Sequence, residues 1–363
     1  MTKAKKIVAN KMRRLTIKTN HGKLLAPFFM PDATRGFVKL LTKDDVERSG
    51  TKALVVNTFH LYLQPGLKII EKAGGLHKFM NWDKPLLSDS GGFQVFSLIH
   101  KNPQMGKITD EKVIFRSPLD GSRHELTPEK SIQIQFTLGV DMMVCLDDCP
   151  PNEFNRRDLE LAVNRTVAWA KRCKVEYEKQ LKKRHISKAK RPLLFSVIQG
   201  GAEIDLREKC ARELVKIGFD GYGFGARPID SQGNFLEEVL QKTADFIPEK
   251  AIRFALGIGT PEDIKRCAAM GWDIFDCVIP TREGRHGRLF FKTKNNYQTK
   301  NINNAKFQTD FSKINPSSRL AELKFLSKAY LHHLFRLNEP LGQRIAALNN
   351  LEFYNDLMTG LKK

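Results

Sequence analysis

Three aspartates stand where apolar runs give way to glycine and polar residues: Asp89 in SDSGGFQ, Asp147 in LDDCP and Asp276 in FDCVIPTREG. A carboxylate at such a boundary is partly desolvated, which makes ionisation costly and can tune it for nucleophilic or acid/base work. Any one of them alone reads as a turn or cap residue. Three together, beside glycine-rich turns and Gln199, weaken that reading. A carboxylate can attack an anomeric carbon, form an ester as a base departs, and then be displaced by a second nucleophile with overall retention. Asp276 is the candidate nucleophile. The cluster that follows it, Arg282, Arg285, His286 and Arg288, suits phosphates and would present a ribose to that carboxylate. Asp147 and Gln199 offer complementary groups to a base edge, and a carboxylate accepting from N1–H and an exocyclic N2–H fits guanine better than adenine. Phe93 could stack on that base against Leu256, or serve as ordinary core.

To act together these residues need a scaffold that gathers strand ends. Apolar runs recur at Leu24–Met30, Ala53–Asn57, Pro85–Leu87, Asp141–Leu146, Leu193–Ile198, Gly221–Gly225, Arg253–Leu256 and Ile274–Val278. Helical patterns separate most of them, at Pro128–Leu138, Arg157–Gln180, Ile204–Ile217, Asn234–Phe246 and Pro261–Ala269. Eight strands with helical crossovers predict an α/β chain folded as a (β/α)8 TIM barrel, whose strand ends build the active site. Residues 1–292 would form the barrel domain, with an N-terminal extension and an insertion near 94–127 turning at Asp120-Gly121. The remaining 293–363 would be a C-terminal subdomain with two amphipathic helices, Arg319–Leu337 and Leu341–Met358.

The formal charge of +21 favours polyanionic partners, nucleic acid first. The basic stretch Ala168–Pro192 reads as a solvated outer helix and loop, with RNA contact as the other option. Six cysteines, at 145, 149, 173, 210, 267 and 277, show no Cys-x-x-Cys pairing and suit a reducing compartment. Met1–Lys18 carries seven basic residues and no acid; a solvated strand face and an RNA contact both fit it. No secretory apolar core follows, and no apolar segment reaches transmembrane length, so a cytoplasmic protein without membrane contact is expected.

The chain closely resembles the tRNA-guanine transglycosylases, or queuine tRNA-ribosyltransferases, of the bacterial type. The resemblance rests on APFFMPDATRG (26–36), NTFHLYLQPG (57–66), SDSGGFQVFSL (88–98), FRSPLDG (115–121), LTPEKSIQIQ (126–135), LDDCP (146–150), VIQG (197–200), IGFDGYGFG (217–225), GIGTPEDI (257–264), FDCVIPTREGRHGRLF (275–290), NAKF (304–307) and AYLHHL (329–334). It implies that Asp276 displaces guanine from C1′ of residue 34 in a GUN anticodon and that Asp89 is the general base toward an incoming 7-deazaguanine. It also implies that Asp147, Gln199, Gly225 and Ala226 read the base edge, with Cys149 close by. Phe93 and Leu256 would sandwich the base, and Arg282 and Arg285 would touch the anticodon loop. The target base must be flipped from its stack. The family commonly works as a homodimer, and no cofactor is expected. A queuine-inserting enzyme and an inert tRNA-binding partner subunit are the alternatives; the retained Asp89, Asp147, Gln199 and Asp276 speak against the second.

Two departures from the family pattern carry expectations. The family holds a structural zinc through a Cys-x-Cys-x-x-Cys run and a later histidine, and here those places are Ser318, Leu320, Leu323 and Asn349. Leucine cannot replace a zinc thiolate, so a metal-free subdomain tied by Leu320, Leu323 and Leu326 is expected, with His332 and His333 in packing or polar roles. The second departure is Gly225-Ala226-Arg227 in place of the family's GGL. The eukaryotic queuine-using type has a small glycine near Ile229. Bulk there implies the smaller base 7-aminomethyl-7-deazaguanine, while Arg227 would repel its aminomethyl cation unless turned outward.

Overall fold

The computed structural model describes residues 12–151, 154–294 and 296–362. Most of the basic start, 1–11, lies outside them. Eight parallel strands follow one another around a barrel: β1 (Phe28–Pro31), β2 (Leu54–Val56), β3 (Leu86–Ser88), β4 (Met142–Val144), β5 (Leu193–Ile198), β6 (Gly221–Phe224), β7 (Ile252–Ala255) and β8 (Ile274–Cys277). Neighbours pair in chain order from β2 to β8, β8 pairs with β1, and the Asp32–Val55 bridge closes the ring. All eight expected strands are present; five lie within their apolar runs, and β1, β3 and β7 each extend one residue past theirs, at Pro31, Ser88 and Ile252.

Strand alternation decides which residues the barrel mouth receives. Phe28, Met30, Val55, Leu87, Val197, Phe254 and Ile274 fill the barrel interior, while Phe29, Ile198, Phe224 and Phe275 pack outward against helices. A residue two positions beyond an interior one keeps its direction. That parity delivers Asp32, Asn57, Asp89, Gln199, Leu256 and Asp276 to the carboxyl-terminal mouth.

The outer layer includes α1 (Gly92–Lys101), α2 (Pro128–Leu138), α3 (Arg156–Lys183), α4 (Ile204–Ile217), α5 (Glu237–Phe246), α6 (Pro261–Ala269) and α7 (Ile279–Arg285). Local chemistry sets their ends. Thr127 accepts the Lys130 amide at 3.1 Å to start α2, and Gly139 ends it with φ +72°. The long α3 buries Trp169, Cys173, Tyr177 and Leu181 at four-residue spacing and turns its lysines outward. After α1 the chain makes a three-stranded antiparallel sheet, Gly106–Ile108, Val113–Arg116 and Arg123–Leu126. At the opposite, amino-terminal end, the hairpin Thr16–Thr19 and Gly22–Leu25 inserts Ile17 and Leu24 into the interior cluster.

Beyond the barrel, a hairpin of Arg288–Lys292 and Tyr297–Asn301 leads to α8 (Lys328–Arg336) and α9 (Pro340–Leu361). The first expected amphipathic helix is broken. A short turn at Ala321–Phe325 stops at extended Leu326 (ψ 150°), and Ser327 restarts the helix by accepting the Tyr330 amide at 3.1 Å. An apolar period survives such a break, which is why it reads as continuous in sequence.

The final helix braces the mouth. Gly284 of α7 lies so close to α9 that a Cβ there would stand 2.7 Å from the Ala347 nitrogen. Asn350 takes the Phe290 amide at 2.9 Å and donates to the carbonyls of Pro280 and Arg288, both at 2.9 Å. At the positions where the resembling family ligates zinc, Ser318 donates to Glu352 at 2.5 Å, Leu320 and Leu323 are core, and buried Asn349 donates to the Phe290 carbonyl at 2.9 Å. With no thiolate or imidazole among them, this donor set does not fit zinc. His332 is buried and bonds the Ile302 carbonyl through Nδ1 at 2.7 Å.

Candidate active site

A cavity of about 480 Å³ opens at the carboxyl ends of the strands. Its wall contains Asp89, Phe93, Asp147, Cys149, Gln199, Gly225, Ala226, Leu256 and Asp276, so nine residues expected around a reacting base converge on one space. Phe93 is 56% exposed at this wall, which removes the core reading. Arg282 and Arg285 lie on α7, which begins two residues after Cys277 ends β8; His286 and Arg288 follow directly. Arg282 and Arg288 both approach the Glu283 carboxylate, at 3.6 and 3.4 Å.

The carboxylates differ in how they are held. Asp276 takes one bond, from the Gly257 amide at 3.0 Å, and burial pushes its pKa up to about 7, with Asp32 adding repulsion. Asp89 takes the amides of Thr58 at 2.9 Å and Gly91 at 3.0 Å and the Asn57 side chain at 2.5 Å. Burial still drives it to about 7; the two amides oppose the shift, and Asp276 and Asp32 reinforce it. Both groups therefore sit near neutrality, where a carboxyl can either hold or give up a proton.

On another part of the wall Asp147 is raised to about 7 by burial, against the pull of its bond from Gln199 Nε2 at 2.6 Å. The Gln199 Oε1 is buried with no hydrogen-bond partner. On a residue that lines the cavity, a buried acceptor without a partner among the described residues is a group that a small shift and a ligand donor could complete. Backbone closeness makes the arrangement possible: a Cβ on Gly225 would fall 2.3 Å from Gln199 Nε2. Ala226 next to it holds φ +79°, a conformation that suits glycine. The Cys149 thiol is pushed up to about 12 by burial, so it stays protonated near neutral pH and is no nucleophile.

Several participants were not singled out from sequence. Asp32 lines the cavity and is raised by burial, opposed by its Thr34 bonds and the Arg285 charge. The parity of Phe28 and Met30 on β1 was the available signal. Arg207 is fully buried beneath the mouth, donating to the carbonyls of Gly201 at 2.7 Å, Ile198 at 3.2 Å and Gly225 at 2.9 Å, with its guanidinium 4.0 Å from the Phe224 ring. It sits inside the helical pattern Ile204–Ile217, where nothing in the sequence marks it as buried. Ile229, whose bulk implied the smaller base, bridges Phe235 through its backbone, is 38% exposed and is not among the residues that line the cavity. Arg227 is in that wall.

A closed (β/α)8 barrel with four carboxylates of raised pKa, Asp32, Asp89, Asp147 and Asp276, at its carboxyl-terminal mouth is the architecture of an enzyme. A family profile described as Queuine tRNA-ribosyltransferase matches residues 9–363. Proteins named queuine tRNA-ribosyltransferase from Halothermothrix orenii and Caldanaerobacter subterraneus are 41% and 40% identical, over 95% and 99% of this chain and 88% and 91% of their own lengths. One of the same name from Rickettsia typhi is 40% identical over 97% of this chain and 93% of its own. The chain belongs to the queuine tRNA-ribosyltransferase family and is a pentosyltransferase.

Proposed function

We propose that this enzyme exchanges guanine 34 of tRNAs with GUN anticodons for 7-aminomethyl-7-deazaguanine. The Asp276 carboxylate attacks C1′ as the bond from C1′ to the guanine ring nitrogen breaks, leaving an Asp276–ribose ester. Protonated Asp89 gives its proton to the departing base and takes one back from the incoming base, whose nitrogen then attacks C1′ and releases Asp276. Two displacements leave the configuration retained, and each proton donated is recovered. The supporting observation is the pairing of Asp276, held by one amide, with Asp89, raised to about 7, on one cavity wall. Asp147 and Gln199 read the guanine edge, Phe93 and Leu256 cover its faces, and Gly225, Ala226 and Cys149 complete the pocket. Arg282, Arg285, His286 and Arg288 hold the anticodon-loop phosphates. Among the described residues no helix is long and apolar enough to cross a membrane, and a cytoplasmic enzyme fits that.

The position of Ile229 outside the wall supports a second reading, in which queuine is accepted. Incorporation of labelled guanine into unmodified tRNA, with each deazaguanine as competitor, tests both. Competition by 7-aminomethyl-7-deazaguanine alone supports the first reading, and competition by queuine supports the second. Binding of tRNA without any exchange would point to a partner subunit. A homodimer is also part of the proposal, supported by Phe311 and Phe325, which are 76% and 64% exposed on segments joined by the Lys313–Ser327 bridge. The division of the chain into a barrel of 1–292 and a subdomain of 293–363 belongs to the same reading.

A further inference from the structure

At the end of the barrel opposite the cavity, three side chains from distant parts of the chain meet. Asp141 immediately precedes β4, His21 sits in the turn of the amino-terminal hairpin, and His77 lies on the short helix Leu76–Met80. His21 Nδ1 is 2.9 Å from Asp141 Oδ1, and His77 Nε2 is 3.2 Å from Oδ2. The two imidazoles stack with centroids 3.6 Å apart.

The hydrogen-bond chemistry of this cluster is incomplete. His77 Nδ1 lies 2.8 Å from the Trp82 carbonyl, which only accepts, so Nδ1 carries the hydrogen and Nε2 of the neutral ring is a lone pair. That lone pair faces a carboxylate. Asp141 is already held in its acceptor form by the backbone amides of His21 at 3.1 Å and Leu86 at 3.0 Å. Two acceptors turned toward each other need a cation between them, either a second proton on His77 or a metal. A proton satisfies His77 alone and sets a cation against the stacked ring of His21. A divalent metal is shared by all three groups.

We propose that His21, His77 and Asp141 form a binding site for a divalent first-row transition ion of the zinc class, which ties the hairpin and the short helix to the barrel floor. Two imidazoles and a carboxylate are a zinc-type donor set. The three ligand atoms lie within 4.8 Å of one another, and a small side-chain rotation brings them to the roughly 3.4 Å separations of a tetrahedral shell. The Trp82 carbonyl on the far nitrogen of His77 is the supporting contact that fixes a metal-ligating histidine. The His21 side chain is 35% exposed, which leaves a route in and room for a water as fourth ligand. At the amino-terminal end of a barrel the site serves stability and not chemistry. The expectation of a metal-free C-terminal subdomain concerns a different part of the fold.

The full-length chain, stripped with chelator, is titrated with zinc and separately with cobalt(II). The wild type is expected to take up one ion per chain, with a cobalt spectrum of nitrogen and oxygen ligation and no thiolate charge-transfer band. His21→Ala, a change on an open turn, should weaken binding by at least about 100-fold, beyond the roughly 10–100-fold cost of losing only a supporting partner. Added zinc should raise the melting midpoint of the wild type and leave that of His21→Ala unmoved. His77→Gln should behave like His21→Ala. The proposal is overturned if the stripped wild type takes up no stoichiometric metal, if both variants bind as tightly as the wild type, or if the cobalt complex shows a thiolate band.

Discussion

Gln199 donates through Nε2 to Asp147 at 2.6 Å and keeps its own Oε1 buried and without a partner. In the proposed reading the pair offers an acceptor carboxylate and an acceptor amide oxygen, a pattern that two adjacent N–H donors complete. Guanine has that pair of donors on one edge, and adenine does not. Asp147→Ala should therefore lower kcat/KM for guanine exchange by roughly ten- to a hundredfold, the equivalent of about 1.5–3 kcal/mol for bonds to a charged group. Steady-state kinetics with guanine as varied substrate checks this, with most of the loss expected in KM.

If Asp276 is the nucleophile, as proposed, its environment links activity to stability. A carboxylate raised to about 7 in the folded chain, against the ordinary 3.8, is neutral in both states at low pH and carries a penalty that grows as pH rises from about 4 to 7. Asp276→Asn should therefore raise the melting midpoint at pH 8 and leave it unchanged near pH 3.5. Thermal unfolding at the two pH values measures it, and equal shifts at both would contradict the assignment.

Activity should follow the same ionisation. In the proposed mechanism Asp276 attacks as a carboxylate, so kcat/KM should fall about tenfold per pH unit below pH 7. Loss of the proton from Asp89, also near 7, should bend the profile down on the alkaline side. A profile flat from pH 5 to 8 would rule this out.

If Gly225 borders the base as proposed, Arg207 acts as a positioning residue through the Gly225 carbonyl that it holds at 2.9 Å. Arg207→Met removes the guanidinium donor from the Gly201 and Gly225 carbonyls, while Ile198 keeps the Gly225 amide, and should cost at least about 2 kcal/mol of stability. It should also raise KM for the base more than it lowers kcat. Urea unfolding combined with kinetics separates the two effects.

Ala226 gives a prediction of opposite sign. Its φ of +79° strains any residue with a Cβ, so Ala226→Gly should keep activity and leave stability unchanged or up to about 1 kcal/mol higher. A loss above that amount, read from the urea midpoint, would show that the methyl group packs against something essential.

What the sequence could disclose follows from the range of the signal. The barrel strands are short runs of Val, Ile, Leu and Phe, and Asp89, Gln199 and Asp276 each stand where such a run ends, so position along the chain located them. Asp32 obeys the same parity and escaped notice because Pro31 masks the end of β1. Arg207 and the cluster of His21, His77 and Asp141 carry no local mark. His21 and Asp141 are 120 residues apart, and only barrel closure makes them neighbours. The break at Leu326 was hidden for a different reason: a capped restart preserves the apolar period.

The covalent step admits the most direct measurement. Wild-type enzyme is mixed with unmodified tRNA bearing a GUN anticodon, denatured rapidly, digested and examined by mass spectrometry for a ribose-linked peptide. The expected result is an ester on Asp276, absent in Asp276→Asn, with exchange lost by at least about 10⁴-fold in that variant. An adduct on Asp89, or exchange that persists in Asp276→Asn, would contradict the central role given to Asp276.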